Sequence, residues 1–156
     1  FPVWLSDVSS LEDARNMISS IGKITATEEK AKAIINSIHL PSTSKRKIRV
    51  AYLIWRKPYM TIGGDTFISD MLERVGFENV FSDKRRYPIV TLEDMQAKNL
   101  DFIFLSTEPF PFKKKFISEF EHVAQPVLVD GEMFSWFGSR LMKAGDYFNA
   151  LKKRLE

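Results

Sequence analysis

The chain has 156 residues, 44% apolar and 28% charged, the balance of one ordinary globular domain with a real core, which excludes a disordered chain. No run approaches the roughly 18 uninterrupted apolar residues of a membrane-crossing helix, and the first residues lack the basic-then-apolar layout of a secretory signal. Zero cysteines exclude disulfides, thiolate metal sites and cysteine nucleophiles together. The net charge of +3 comes from 23 basic and 20 acidic residues. The excess sits in four triplets, at Lys45–Lys47, Lys84–Arg86, Lys113–Lys115 and Lys152–Arg154, which read as solvated surface and not as a nucleic-acid stripe.

In chain order, Phe1–Leu5 resembles the end of a strand. A helix then starts at Ser10, with Asp13 three residues on close to a capping box. Leu11, Ala14, Ile18 and Ile21 supply its apolar stripe and Gly22 its stop. A second helix is expected from about Glu28 to His39, with Ala31, Ile34, Ile35 and Ile38 inward, and Pro41–Ser44 is linker-like. From Lys47 the order reads strand, helix, helix, strand, helix, strand, helix. The strands Ile48–Trp55, Asp101–Ser106 and Pro126–Asp130 are continuously apolar, the mark of a mostly parallel sheet flanked by helices. The helix at 66–75 takes Asp65 as N-cap and closes at Gly76; Thr91–Asp94 repeats a capping pattern before a helix ending near Asn99. The last helix, about Ser139 to Leu155, buries Leu141, Ala144, Phe148, Leu151 and Leu155. The fold class is therefore α/β, a Rossmann-like lobe preceded by a helical connector, with units at 1–44 and 45–156.

Each strand runs directly into an aromatic segment: Arg56–Met60, Thr107–Phe112 and Gly131–Phe137. Ligands of open α/β sheets bind beyond the carboxyl ends of the strands. An edge of rings interleaved with Pro, Gly and the charges Arg56, Lys57, Glu108 and Arg140 fits a bulky, conjugated or chelated ligand held by stacking and cation–π contacts. Rings that only close the core are the competing reading.

Other chemistry is thinner. Gly63-Gly64-Asp65-Thr66, between a strand and a helix, reads either as an anion-binding turn or, preferably, as a tight structural turn; it matches neither phosphate-loop nor dinucleotide spacing. His39 and His122 are the only histidines and lie far apart, so no intrinsic metal is expected. Glu108, Asp130 and Glu132 follow strand ends and leave an acid/base pair open. Without a nucleophile or histidine base the expectation is a protein that is not an enzyme, the alternative being an enzyme domain acting on a phosphorylated or nucleotide substrate. A nucleic-acid module on the basic triplets is the weaker rival.

The run TIGGDTFISDMLERVGFENVF (Thr61 to Phe81), with Tyr87-Pro88, TLEDMQAKNLDFIFLS (Thr91 to Ser106) and VLVDGEMFSWFGSRL (Val127 to Leu141), resembles the C-terminal lobe of the ABC-transporter substrate-binding proteins for ferric siderophores, haem and cobalamin. SLEDARNMISSIGKIT (Ser10 to Thr25) is similar to that family's exit from the N-terminal lobe, and Glu28–His39 to the helix joining the lobes. The resemblance implies half of a two-lobed receptor with limited hinge motion. It would capture an iron chelate, haem or corrinoid and deliver it to a membrane permease, with any metal present only inside the bound chelate and no cofactor of its own. It also implies a periplasmic or extracytoplasmic location, with or without a lipid anchor, and a facing N-terminal lobe; a chain opening on Phe1 is expected to have lost upstream sequence. Carried over residue by residue, it places Tyr59, Met60, Thr61, Met133, Phe134 and Trp136 at the cleft. Arg56 and Arg140 are the candidates for an anionic chelate, and Glu132 is the carboxylate nearest the permease-docking position, which falls at Ser135. Met60 and Met133 stand where the cobalamin receptors have rings.

Overall fold

The computed structural model describes residues 3–41 and 47–155. The expected 44/45 boundary, most of the linker-like stretch and the Lys45-Arg46 pair lie outside the described residues. Val3–Leu5 form no strand and are exposed, since among the described residues no strand lies beside them to complete a ladder.

Helix α1 (Leu11–Ile24) begins as expected, with the Ser10 hydroxyl accepting from the Asp13 N–H and the Asp13 carboxylate accepting in turn from Ser10 Oγ. It does not stop at Gly22, which is buried inside the helix where α2 (Glu28–Ser37) crosses. A Cβ at Gly22 would lie 2.6 Å from Ala31 Cβ, so the missing side chain permits close helix packing. Ile21, expected inward, is exposed.

Four strands form one all-parallel sheet in the order β2-β1-β3-β4: β1 (Ile48–Leu53), β2 (Phe77–Asn79), β3 (Phe102–Ser106) and β4 (Gln125–Val129). Strands β1, β3 and β4 are mainly apolar because both faces of the sheet are covered. Val50, Tyr52, Phe104 and Val129 point into a core with α1, α2, α3 (Phe67–Arg74) and α6 (Leu141–Leu155). Ala51, Leu53, Ile103 and Leu105 point the other way, against Met95 of α4 (Leu92–Gln96), Val90, Phe112 and Phe120. Strand β2 was not foreseen: Phe-Glu-Asn is too short and too polar for a periodicity signal. Its last residue, Asn79, is buried and holds the turn by donating to Ile62 O and Ser69 Oγ, both at 3.0 Å, while its Oδ1 accepts from Phe81 N.

Helix α3 is capped by Thr66, whose hydroxyl accepts from Ser69 N, and not by Asp65. Asp65 instead accepts the Arg86 N–H at 2.6 Å and faces the Arg85 side chain, which lowers the pKa of its carboxyl, chiefly through the Arg86 N–H. Gly76 follows the helix at φ 93°, a conformation open to glycine. Thr91 and Asp94 complete the capping box of α4, which ends at Gln96, short of the expected Asn99. Between β3 and β4 the covering element is a 3-10 helix, Lys114–Glu119.

Candidate ligand-binding rim

The three aromatic loops meet at the carboxyl edge of the sheet. The loop after β1 is pinned to the loop after β3 by Phe110 N donating to Ile54 O at 3.1 Å, and the rings of Trp55 and Phe110 pack edge to face at 5.8 Å between centroids. The loop after β3 is joined to the loop after β4 by Thr107 N donating to Val129 O and Gly131 N to Thr107 Oγ1, both at 3.0 Å. Met60 bridges Trp55 on one side and Ile89 on the other. Apolar side chains stand open here: Trp55 is 41% exposed and Trp136 53%, with Phe137 also exposed, and the segment between β2 and α4 adds Ile89 at 63% and Tyr87. Beside Trp136 an apolar cavity of about 400 Å³ is lined by Met17, Ser135, Trp136, Phe137 and Gly138. Rings that served only to close the core would not stand in solvent at this rate, because burying them stabilises the fold by about 1.5–3 kcal/mol each.

Not every expected site residue is free to touch a ligand. Thr61 is fully buried, its hydroxyl donating to Tyr52 O at 2.8 Å, and is removed from the cleft set. Phe134 is likewise removed. It lies on α5 (Glu132–Ser135) and is fully buried, packed edge to face on Tyr52 and Phe148 with centroids at 5.1 and 4.8 Å. The short helix turns alternate aromatics in opposite directions, so Phe134 faces the core and Trp136 solvent. Tyr59 and Met60 are half-buried. The Tyr59 ring packs on Phe120 and its hydroxyl donates to Glu119 Oε2 at 3.0 Å. Met133 is half-buried on the same short helix.

Both candidate arginines are engaged by carboxylates. Arg56 donates three hydrogen bonds to Glu119, the shortest 2.7 Å from Nη2 to Oε1, and lies over the Phe116 ring at 4.8 Å. This contact, ahead of the Tyr59 hydroxyl, holds the Glu119 carboxyl below its ordinary pKa. Arg140 pairs with Glu132 and stands 6.0 Å from the Trp136 ring. The residue expected to meet an anionic chelate and the one expected to dock a permease thus neutralise each other.

Sequence reasoning passed over Trp55 as the last residue of a buried strand. The strand ends two residues earlier, at Leu53, and Ile54 is the last fully covered position. The signal for Trp55 was the following Arg-Lys-Pro, which cannot continue a central strand. Glu119, the partner of Arg56, carried no signal, because the two are 63 residues apart.

The remaining chemistry resolves into structure. Gly63 N donates to Arg86 O and Gly64 N to Lys84 O, and a Cβ would lie 2.5 Å from Lys84 O at Gly63 and 2.3 Å from Ser82 O at Gly64. Both glycine N–H groups are therefore taken by backbone carbonyls, which is the work of a structural turn. Glu108 accepts from Ser135 and Trp136, and Glu132 pairs with Arg140. Among the described residues no group of three metal-ligating side chains converges, and no helix is long and apolar enough to cross a membrane.

No family model matches the chain. A vitamin B12-binding protein of Vibrio parahaemolyticus is 24% identical over 113 residues, which is 67% of this chain and 41% of that protein. Among solved structures, a possible iron-binding (periplasmic solute-binding) protein of Staphylococcus epidermidis superposes with a TM-score of 0.75 at 23% identity, over 97% of this chain and 64% of that one. The periplasmic vitamin B12-binding protein of Vibrio cholerae gives 0.74 at 17%, over 99% and 66%. Periplasmic haem-binding proteins of Roseiflexus sp. RS-1 and Vibrio cholerae are further neighbours, at TM-scores of 0.72 and 0.67. The chain spans two fifths of the curated relative and just under two thirds of the first two solved structures. The rim therefore sits on a fold shared with one part of periplasmic iron-, haem- and vitamin B12-binding proteins and of an ABC transporter substrate-binding protein of Listeria monocytogenes, in keeping with the resemblance read from the sequence.

Proposed function

We propose that this chain is the rim-bearing part of a solute-binding protein of an ABC importer, and that it takes up a flat conjugated or chelated metal compound: an iron chelate, haem or a corrinoid. The observation that carries the proposal is the pair of open indoles, Trp55 and Trp136, on loops tied together at the carboxyl edge of a parallel sheet. The fold is that of proteins described as binding iron, haem and vitamin B12. In this reading a second lobe supplies the facing wall and a membrane permease receives the ligand outside the cytoplasm. The pairing of both arginines with glutamates supports capture through ring contact and burial more than through free guanidinium groups.

The experiment is a titration of the full-length protein with haemin, cyanocobalamin and a ferric hydroxamate, following tryptophan fluorescence. Quenching that saturates with at least one of them is the expected result. A flat response to all three would overturn the proposal.

A further inference from the structure

We propose that Glu108 is the positioning residue of the rim, holding the Trp136 indole in its open, ligand-ready orientation; this rests on the solute-binding reading above. An indole half in water, on the loop leaving a four-residue helix, packs on no other ring among the described residues, and Arg140 stands 6.0 Å from it. The structure supplies a polar anchor instead. A single oxygen, Glu108 Oε1, accepts from Trp136 Nε1 at 2.8 Å and from Ser135 Oγ at 2.7 Å. These are bonds to a charged acceptor, the stronger kind, and two consecutive residues are tied to it. Among the described residues the Glu108 carboxylate pairs with no cation, so its bonds to Ser135 and Trp136 are not shared with a salt bridge.

Glu108 is itself held from beneath. The Ser106 hydroxyl donates to Glu108 O at 2.6 Å and stands 3.3 Å from Glu108 N, and the buried Tyr52 hydroxyl donates to Ser106 Oγ at 3.1 Å. Burial raises the Tyr52 pKa above its ordinary value, so the hydroxyl keeps the proton it donates. Space for the arrangement comes from Gly131, where a Cβ would lie 2.5 Å from Glu108 Cγ and 2.4 Å from Ser106 Oγ. A line of contacts thus runs from the sheet core through Tyr52, Ser106 and Glu108 to the ring at the rim. A ring fixed before the ligand arrives loses less freedom on binding, which is how preorganisation raises affinity.

The test has one arm that needs no ligand and one that does. In the wild-type protein, the indole N–H of Trp136 is expected to exchange with solvent more slowly than that of Trp55, although Trp136 is the more exposed ring. Glu108→Ala is expected to abolish that protection and Glu108→Gln, which keeps an acceptor oxygen, to restore it. Equal exchange of the two indoles in the wild type would overturn the proposal, whether or not any variant folds.

In the second arm, affinity is measured for haemin, cyanocobalamin and the ferric hydroxamate. Glu108→Ala is expected to weaken whichever binds by about tenfold, and Glu108→Gln by no more than about threefold, the scale of one hydrogen bond to a charged acceptor. In a Trp136→Phe background, which has no N–H to hold, Glu108→Ala is expected to add nothing; an equal loss in both backgrounds would contradict positioning through the indole. Failure of all three compounds to bind the wild type would count against the solute-binding reading, and the exchange arm would still decide the role of Glu108.

Discussion

At the scale of single residues, two aromatics two positions apart have opposite fates, and each carries a prediction. Trp136→Ala is expected to weaken ligand binding by about 1–3 kcal/mol while leaving the melting temperature nearly unchanged, because an open ring contributes to recognition and little to the core. Phe134→Ala is expected to lower the unfolding free energy by about 3–5 kcal/mol, the usual cost of emptying a packed aromatic site, as chemical denaturation would show. The reverse pattern, with Trp136 essential to the fold and Phe134 to affinity, would invert the assignment. The sequence does not separate the two, since both are rings in one Gly-bounded segment, and only the turn of α5 decides which faces the sheet. Thr61 was misplaced for a similar reason. Its neighbour Met60 lies at the surface bridge, but the next residue points inward to cap the Tyr52 carbonyl.

At the scale of elements, the interface of α1 and α2 rests on Gly22. Substitution by Ala places a Cβ 2.6 Å from Ala31 Cβ, so the helices must separate, and a loss of about 1–3 kcal/mol is expected on thermal or chemical unfolding. A neutral or stabilising Gly22→Ala would mean that the helices cross elsewhere. A second element contact, between the loop after β1 and the 3-10 helix, depends on the Arg56–Glu119 pair, which is three-quarters buried on both sides. Because the Glu119 carboxyl titrates below its ordinary value in the fold, its stabilisation is complete above the unfolded carboxyl pKa of about 4.3 and is lost as pH falls through the folded value. Glu119→Gln is therefore expected to destabilise at neutral pH by about 1–2 kcal/mol, and the difference from wild type is expected to shrink on acidification below about pH 4. A constant difference across that range would contradict the linkage.

The elements were legible wherever a strong local signal existed: the Ser10 and Thr91 caps, Gly76, and the three continuously apolar strands. Strand β2 was not, because three residues carry no period, and its register is set by the neighbouring β1. The shift of the α3 cap from Asp65 to Thr66 depends on Arg86, 21 residues away, whose backbone N–H takes the Asp65 carboxylate.

At the scale of the whole molecule, the parallel order β2-β1-β3-β4 puts the ends of β1, β3 and β4 side by side, so loops distant in sequence share one edge. That convergence was legible from strand order and aromatic placement together. The closing of Arg56 and Arg140 by Glu119 and Glu132 was not, as ion pairs between separate elements leave no trace in local pattern. Within the basic triplets, Arg85 and Arg86 face Asp65, and Lys115 covers the Phe116 ring. Retention on nucleic acid is therefore expected to be weak and without the steep salt slope of a phosphate-tracking surface.

The account depends above all on the rim being where the ligand sits, and the indole N–H signals of Trp55 and Trp136 report this directly. A two-dimensional nitrogen–proton spectrum of the full-length protein, recorded with the diamagnetic cyanocobalamin and with gallium-substituted haem and hydroxamate in place of their iron forms, separates Trp4, Trp55 and Trp136 after assignment by single Trp→Phe variants. On saturation with the compound that binds, the signals of Trp55 and Trp136 are expected to shift together. Binding that leaves both of them in place would contradict the account.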